Sequence, residues 1–247
     1  MRIIIIIVVA SFFYTGVAQE KNHGRVHYSR QSNFSFTENK AVDSNQITKI
    51  NSEIIGIMNF SNSNFQYILE FNENESIFKL DDKLNLDDKD LRLSKMFGGN
   101  GVYYSNSKNE ENFRQVDSFG DLFLINLGYN LNEWELLNET KKIGEFLCYK
   151  AITLKIVENR KIFKKQIIAW YYPEISVPFG PIGYGGLPGL IIELSVENEA
   201  TYTLKKIELN PKLKVVIAKP LKGNNVTENE YNEIGKKIFE NLTKRKN

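Results

Sequence analysis

The chain has 247 residues, 42% of them hydrophobic, and a formal net charge of +2 from 32 basic and 30 acidic side chains. So even a balance carries no electrostatic footprint for nucleic acid, and a single cysteine, Cys148, excludes an intramolecular disulfide framework. Stability must come from an apolar core, for which the length is ample.

In chain order the first element is a leader. Arg2 precedes an apolar run over residues 3–9, extended by Phe12, Phe13 and Tyr14, and Gly16, Val17 and Ala18 put small residues before a cut. This is the build of a secretory signal peptide over residues 1–18, with cleavage between Ala18 and Gln19. The apolar stretch is short for a bilayer span. No cysteine follows the cut, so a lipid anchor is not indicated, and nothing later resembles a transmembrane segment. Residues 19–247 are then read as one domain, with 31 basic and 30 acidic residues once Arg2 is gone.

Period-two alternation in short runs dominates the rest of the chain, broken by Asn, Asp, Gly and Pro. "RVHYSRQ" reads as the first strand. Residues 47–58 carry Ile47, Ile50, Ile54 and Ile57 at helical spacing, although isoleucines also suit a strand. "FQYILEF" puts Phe65, Tyr67, Leu69 and Phe71 on one face, and "IFKL" returns after the turn "FNENES". Residues 81–95 read as a polar connection. "EFLCYKAITLKIV" sets Phe146, Cys148, Ile152, Leu154 and Ile156 on one side, with Lys150 the exception, and "KQIIAWYY" comes back after a hairpin turn. "LIIELSV" places Leu190, Ile192, Leu194 and Val196 opposite Glu193 and Ser195. In "TYTLKKIEL" the parity slips between Leu204 and Ile207, which predicts a bulge at Lys205 or Lys206. "LKVVIA" offers one more strand.

The end of the chain reads as helix over about residues 227–244. Thr227 and Glu230 have capping-box spacing, Tyr231, Ile234, Ile238 and Leu242 recur at helical intervals, and Lys244 to Lys246 sit at the end the dipole favours. Together these elements predict a mainly β (α+β) fold. It is a curled antiparallel sheet or partly open barrel whose edge is covered by the C-terminal amphipathic helix.

Residues 179–189 hold five glycines and two prolines. An ATP-type phosphate loop requires a lysine that is missing here. In the dinucleotide pattern begun by Gly183 and Gly185, Pro188 stands where the third glycine belongs. A strand follows instead of the helix whose amides would face a phosphate. No serine lies between the glycines, so a nucleophile elbow fails as well. What remains is a tight turn that feeds a buried strand, glycine permitting positive φ and close approach while proline fixes φ. A ligand- or partner-facing loop is the alternative.

Gly186, Leu187, Pro188, Gly189, Leu190 and Ile191 spell the signature of the GLPGLI family, exported proteins of Gram-negative bacteria, which the chain resembles. "AWYYPEISVPFGP" just upstream, "CYKA" and the run from "ILEFNENES" through "NEWELLNETKKIGEFLCYKA" extend the resemblance over most of the chain. Ser176-Val177-Pro178 departs from the family's direct isoleucine–proline step and shifts the turn locally. The resemblance implies export and kinship and supplies no activity.

The chemistry-bearing side chains are few. Cys148 shares its face with apolar neighbours and reads as a buried structural thiol. His23 and His27, even with Glu20, read as surface histidines rather than metal ligands, since strand geometry spreads a spacing of four. Asp81, Asp82, Asp87, Asp88 and Asp90 lack the glycine and alternation of a calcium loop. Trp170, Tyr171, Tyr172, Phe179 and Tyr184 form an aromatic set that either lines a cavity or packs a core, with core packing expected ahead of a cavity. Of these, Trp170, Tyr172, Phe179 and Tyr184 are the candidate ligand or partner surface.

The functional expectation is a non-catalytic periplasmic binding module for an apolar ligand or an envelope protein, with association to the outer membrane as a further option. No catalytic residue, metal or cofactor is expected, and neither is nucleic acid or a transmembrane segment in the mature chain. A structural or assembly protein of the envelope is the alternative, with a hydrolase behind it. Oligomeric state is not legible in the sequence.

Overall fold

A computed structural model describes residues 23–33, 55–56, 58–60, 62, 65–81, 101–129, 133–158 and 162–244. The expected leader, most of residues 47–58, the acidic connection beyond Asp81, the side chain of Leu242 and the basic residues ending the chain lie outside these.

The strands are β1 Gly24–Ser32, β2 Gln66–Phe71, β3 Glu75–Leu80, β4 Val102–Asn106, β5 Glu111–Ser118, β6 Asp121–Asn126, β7 Glu135–Ile143, β8 Phe146–Glu158, β9 Ile162–Tyr172, β10 Leu190–Val196, β11 Ala200–Leu209 and β12 Asn224–Thr227. A C-terminal helix, α1, spans Glu228–Lys244, and the described residues 55–56, 58–60 and 62 are helical as well. The strands form one open sheet in the order β12-β6-β5-β4-β3-β2-β1-β11-β10-β9-β8-β7. β1 to β6 make one meander and β7 to β11 a second. They join where β1 pairs with β11, and every pairing is antiparallel except β12 on β6.

A short connection forces this sheet to curl. In a flat sheet β6 and β7 would lie roughly 50 Å apart at the usual strand spacing. Yet the chain passes from Asn126 to Glu135 directly, and a link of that length spans at most about 30 Å. The two outer ends must therefore approach each other, and Lys155 on β8 meets Glu228 at the start of α1 at 2.6 Å.

Pairing register assigns the two faces. The inner face carries Val26 and Tyr28, opposite Leu69 and Tyr67, then Phe78, Leu194 and Val196, nearly all fully buried. Tyr149, Ala151 and Thr153 of β8 share it with Tyr171, Ala169 and Ile167 of β9. The shared side expected for β8 is present, and Cys148 on it is fully buried. Phe146, Cys148, Ile152, Leu154 and Ile156 do share a face, but it is the outer one, and Leu154 and Ile156 are 54% and 59% exposed. The alternation was real. Small inward residues, Ala151 and Thr153, hid which face was buried, because space there is filled by larger side chains of β10 and of the loop before it.

Other expectations hold. Phe65, Tyr67, Leu69 and Phe71 are all buried. His27 pairs with Lys206 and Tyr28 with Leu204, so Lys205 is the bulged residue. A second bulge lies in β10 between Ile191 and Glu193. It leaves Leu190, Ile191 and Ile192 all fully buried, while Leu194 and Val196 still point inward.

"LKVVIA" is not a strand. From Asn210 the chain crosses from β11 to the far edge at β12, running across strands rather than beside one, so it has no ladder to join. Val215 is buried, whereas Leu213 and Val216 are exposed. Lys219 anchors the crossing, with its ammonium 5.1 Å from the Phe113 ring centre and 2.7 Å from Glu111.

The capping box of α1 is present. Thr227 N–H donates to Glu230 Oε2 at 2.7 Å, and Glu230 N–H donates to Thr227 Oγ1 at 3.2 Å. Tyr231 and Ile234 pack on Val116, Phe123 and Ile125. The helix thus lies on the inner face at β5 and β6, and the edge of β6 is covered by β12, where the sequence predicted the helix.

Candidate functional site

The glycine-rich loop between β9 and β10 lies across the curl. Its backbone is tied to its own ends. Leu190 N–H donates to Ile175 O at 3.0 Å, Ile191 N–H to Phe179 O at 3.2 Å and Gly186 N–H to Pro178 O at 3.1 Å. Pro181–Gly183 forms one 3-10 turn, with Ile182 at φ 48° followed by Gly183 at φ 80°.

Two glycines show why the sequence is so restricted. A Cβ on Gly189 would lie 2.3 Å from Tyr172 O and 2.7 Å from Pro173 Cα, both backbone atoms. One on Gly185 would lie 2.4 Å from Pro178 O. Neither contact is survivable without moving the chain. In the signature, Leu187, Leu190 and Ile191 are buried and Pro188 is exposed.

Both meanders hold this loop. From β5, Asn112 Nδ2 donates to Gly183 O at 3.2 Å. From the link before β7, Trp134 Nε1 donates to Gly185 O at 2.9 Å, with its ring 6.3 Å from that of Tyr184. Tyr28 on β1 donates to Ile191 O at 2.5 Å, a carbonyl beyond the end of the β10–β11 ladder, which starts at Glu193. Among the described residues, a small cleft beside the loop, between Ser105, Asn112, Tyr129 and Tyr184, has about 20 Å³, room for one water.

The aromatic set does not converge. Tyr171 is on the inner face, and Phe179 and Tyr184 belong to the loop. Trp170 and Tyr172 are on the outer face, opposite Lys150 and Leu190. Lys141 and Lys150 stand 5.3 and 5.8 Å from the Trp170 ring centre. Lys141 also meets Glu193 at 2.8 Å and Lys150 meets Glu139 at 2.9 Å. Trp170 therefore sits under a charged lattice rather than in an apolar hollow.

Cys148 is fully buried, and that burial, with Glu193 nearby, pushes its thiol up to about 11. It is a poor nucleophile at neutral pH. The histidines take separate partners, His23 Nε2 lying 3.3 Å from Pro211 O and His27 Nδ1 lying 3.6 Å from Asp81. Among the described residues no three His, Cys, Asp or Glu side chains are grouped to hold a metal, and no helix is long and apolar enough to cross a membrane.

Sequence reasoning missed Tyr28, Asn112 and Trp134. Their partners are loop carbonyls far along the chain, and no local pattern announces such a bond.

A family model described as a protein of unknown function (Porph_ging) matches residues 161–193, from β9 through the glycine-rich loop into β10. No curated protein matches the chain. Among solved structures, PNGF-II in its P21 crystal form is 15% identical with a TM-score of 0.49, over 84% of this chain and 31% of that one. The C2 form is 13% identical with the same score, over 86% and 32%. The chain spans about a third of the length of those structures.

Proposed function

We propose that this chain is an exported, non-catalytic interaction module of the cell envelope, akin to the GLPGLI proteins, which meets a protein partner through its surface rather than storing an apolar ligand inside the sheet. The observation that carries this reading is the filled curl. Tyr28, Tyr67, Phe78, Tyr202, the glycine-rich loop and α1 occupy the inner face among the described residues, and the cleft left beside the loop admits one water. Apolar surface is presented elsewhere. Among the described residues β10 pairs with β9 only from Ile167 onward, and β7 with β8 only as far as Ile152. Beyond them the β8–β9 ends form a two-stranded ribbon carrying exposed Leu154, Ile156 and Ile162. Export rests on the leader pattern and the signature.

A photo-crosslinking residue at position 156, in the full chain expressed with its leader in a Gram-negative envelope, tests the reading. A discrete adduct from position 156 that is missing from position 236, on α1, is expected, together with a mature N-terminus at Gln19. Lipid that co-purifies in stoichiometric amount and leaves on denaturation would overturn it in favour of a carrier. A structural role in the envelope is the second reading, favoured by the way each end of the glycine-rich loop is used to lock backbone.

A further inference from the structure

The segment that carries the chain from β11 to β12 differs in makeup from the rest of the surface. From Leu209 to Thr227 it holds four lysines and no aspartate or glutamate, in a chain whose basic and acidic residues number 32 and 30. Leu213, Val216 and Leu221 are 79%, 81% and 76% exposed, the three most exposed large apolar side chains among the described residues. Lys212, Lys214 and Lys222 are exposed beside them. Lys219 meets Glu111, whereas Lys212, Lys214 and Lys222 form no ion pair among the described residues.

The backbone holds these side chains outward. Asn210 N–H donates to His23 O at 2.8 Å, Val215 is buried as the inward plug, and Gln115 Nε2 donates to Lys222 O at 2.8 Å. Anchored at its start, middle and end, the segment cannot roll its other apolar side chains inward. Phe113, under Lys219, and Gln115 alternate along β5 with Val116, which α1 covers. The segment therefore lies on the outer face of the sheet, away from the helix. Single exposed leucines are ordinary. Three aliphatic tips within nine residues, set among lysines with no acid, match an anionic bilayer instead. The tips enter the headgroup boundary, and the ammonium groups reach lipid phosphates on their flexible stems. A protein interface favours Arg, Met and aromatic residues and is poor in Lys. The segment holds none of the favoured types.

We propose that residues 209–222 form a membrane-surface contact for anionic phospholipid, with Leu213, Val216 and Leu221 in the bilayer surface and Lys212, Lys214 and Lys222 at the phosphates. The contact holds the outer face of the first meander against lipid. It is separate from the β8–β9 ribbon of the second meander, so the two surfaces stand or fall independently.

The exported chain, checked by mass to lack residues 3–9, whose apolar run would insert by itself, is sedimented with vesicles. One set is phosphatidylcholine alone and the other is phosphatidylcholine with phosphatidylglycerol in equal parts. Binding to the mixed vesicles, and far less to the neutral ones, is expected. Replacing Lys212, Lys214 and Lys222 together by Gln should lower partitioning about 100-fold, at about fivefold per lysine. Replacing the exposed Lys142, Lys164 and Lys237 by Gln removes the same charge elsewhere and should leave most of the binding. Leu213→Asn should keep the thermal midpoint, since that side chain is exposed, and still lower partitioning about tenfold. Equal losses in the two triple variants would mean net charge alone and overturn the proposal. So would equal binding to both vesicles, binding to neither, or no effect of Leu213→Asn. A protein adduct from a photo-crosslinker at position 216, with no vesicle binding, would give the segment to a protein and overturn it too.

Discussion

At the scale of single residues, backbone contact outweighs side-chain chemistry in the signature. A Cβ on Gly189 would press on the Tyr172 carbonyl oxygen, so Gly189→Ala must displace β9 or β10. A loss of about 1–3 kcal/mol or more is expected from such overpacking, read as a lower urea midpoint at unchanged slope. Pro188 is exposed, and Pro188→Ala should cost no more than about 1 kcal/mol, the unfolded-state entropy that proline removes. Equal losses would sink this account of the motif. Tyr28→Phe should cost about 1–3 kcal/mol, because it leaves the Ile191 carbonyl buried and unmet. Cys148 gives a pH signature. Its folded-state value is raised, so its contribution is complete below the ordinary thiol range and is lost as pH rises toward about 11. A thiol reagent at pH 8 should label the unfolded chain and spare the native one.

At the scale of elements, α1 was legible because capping is local. Thr227 and Glu230 are three residues apart, and nothing distant is needed to bring them together. Thr227→Ala should weaken the helix by about 1 kcal/mol. The reciprocal bonds from Thr227 hold the Glu230 carboxyl below its ordinary value. That contribution is present above the ordinary carboxylate range and disappears as pH falls through the lowered one. Helicity followed by circular dichroism should therefore decline on acidification in the native protein, with a smaller acid-dependent change in Thr227→Ala. The β8–β9 ribbon behaves differently. Leu154 and Ile156 are already exposed, so Leu154→Ser and Ile156→Ser should each shift stability by no more than about 0.5 kcal/mol. A larger loss would mean that something covers them. Strands β4 to β7 escaped sequence reading because polar residues interrupt their alternation. β7, "ELLNETKKI", buries no residue fully and holds its place through hydrogen bonds to β8.

At the scale of the whole molecule, the β1–β11 ladder and the link before β7 couple the two meanders. Trp134 ties that link to the loop, while Trp170 reports the outer face of β9. Unfolding should be one transition, with tryptophan fluorescence and far-ultraviolet circular dichroism giving the same midpoint. Separate midpoints would show the meanders to be independent units. The candidate site was legible only in part. Five glycines in eleven residues told of a shaped backbone, but the aromatic set read as one surface is divided between two faces and a loop, since adjacent strand positions such as Trp170 and Tyr171 point to opposite sides.

What the amino-acid sequence determined alone was whatever depends on neighbours in the chain. Strand alternation in β1, β2, β3 and β9, the bulge at Lys205, the capping box and the need for glycine in the loop all follow from spacing and steric limits within a few residues. Tertiary structure decided the rest. The inward face of β8, the course of the segment after Asn210 and the filling of the curl depend on strands brought together across most of the chain. Burial belongs to the space between elements, and that space exists only once the sheet has curled.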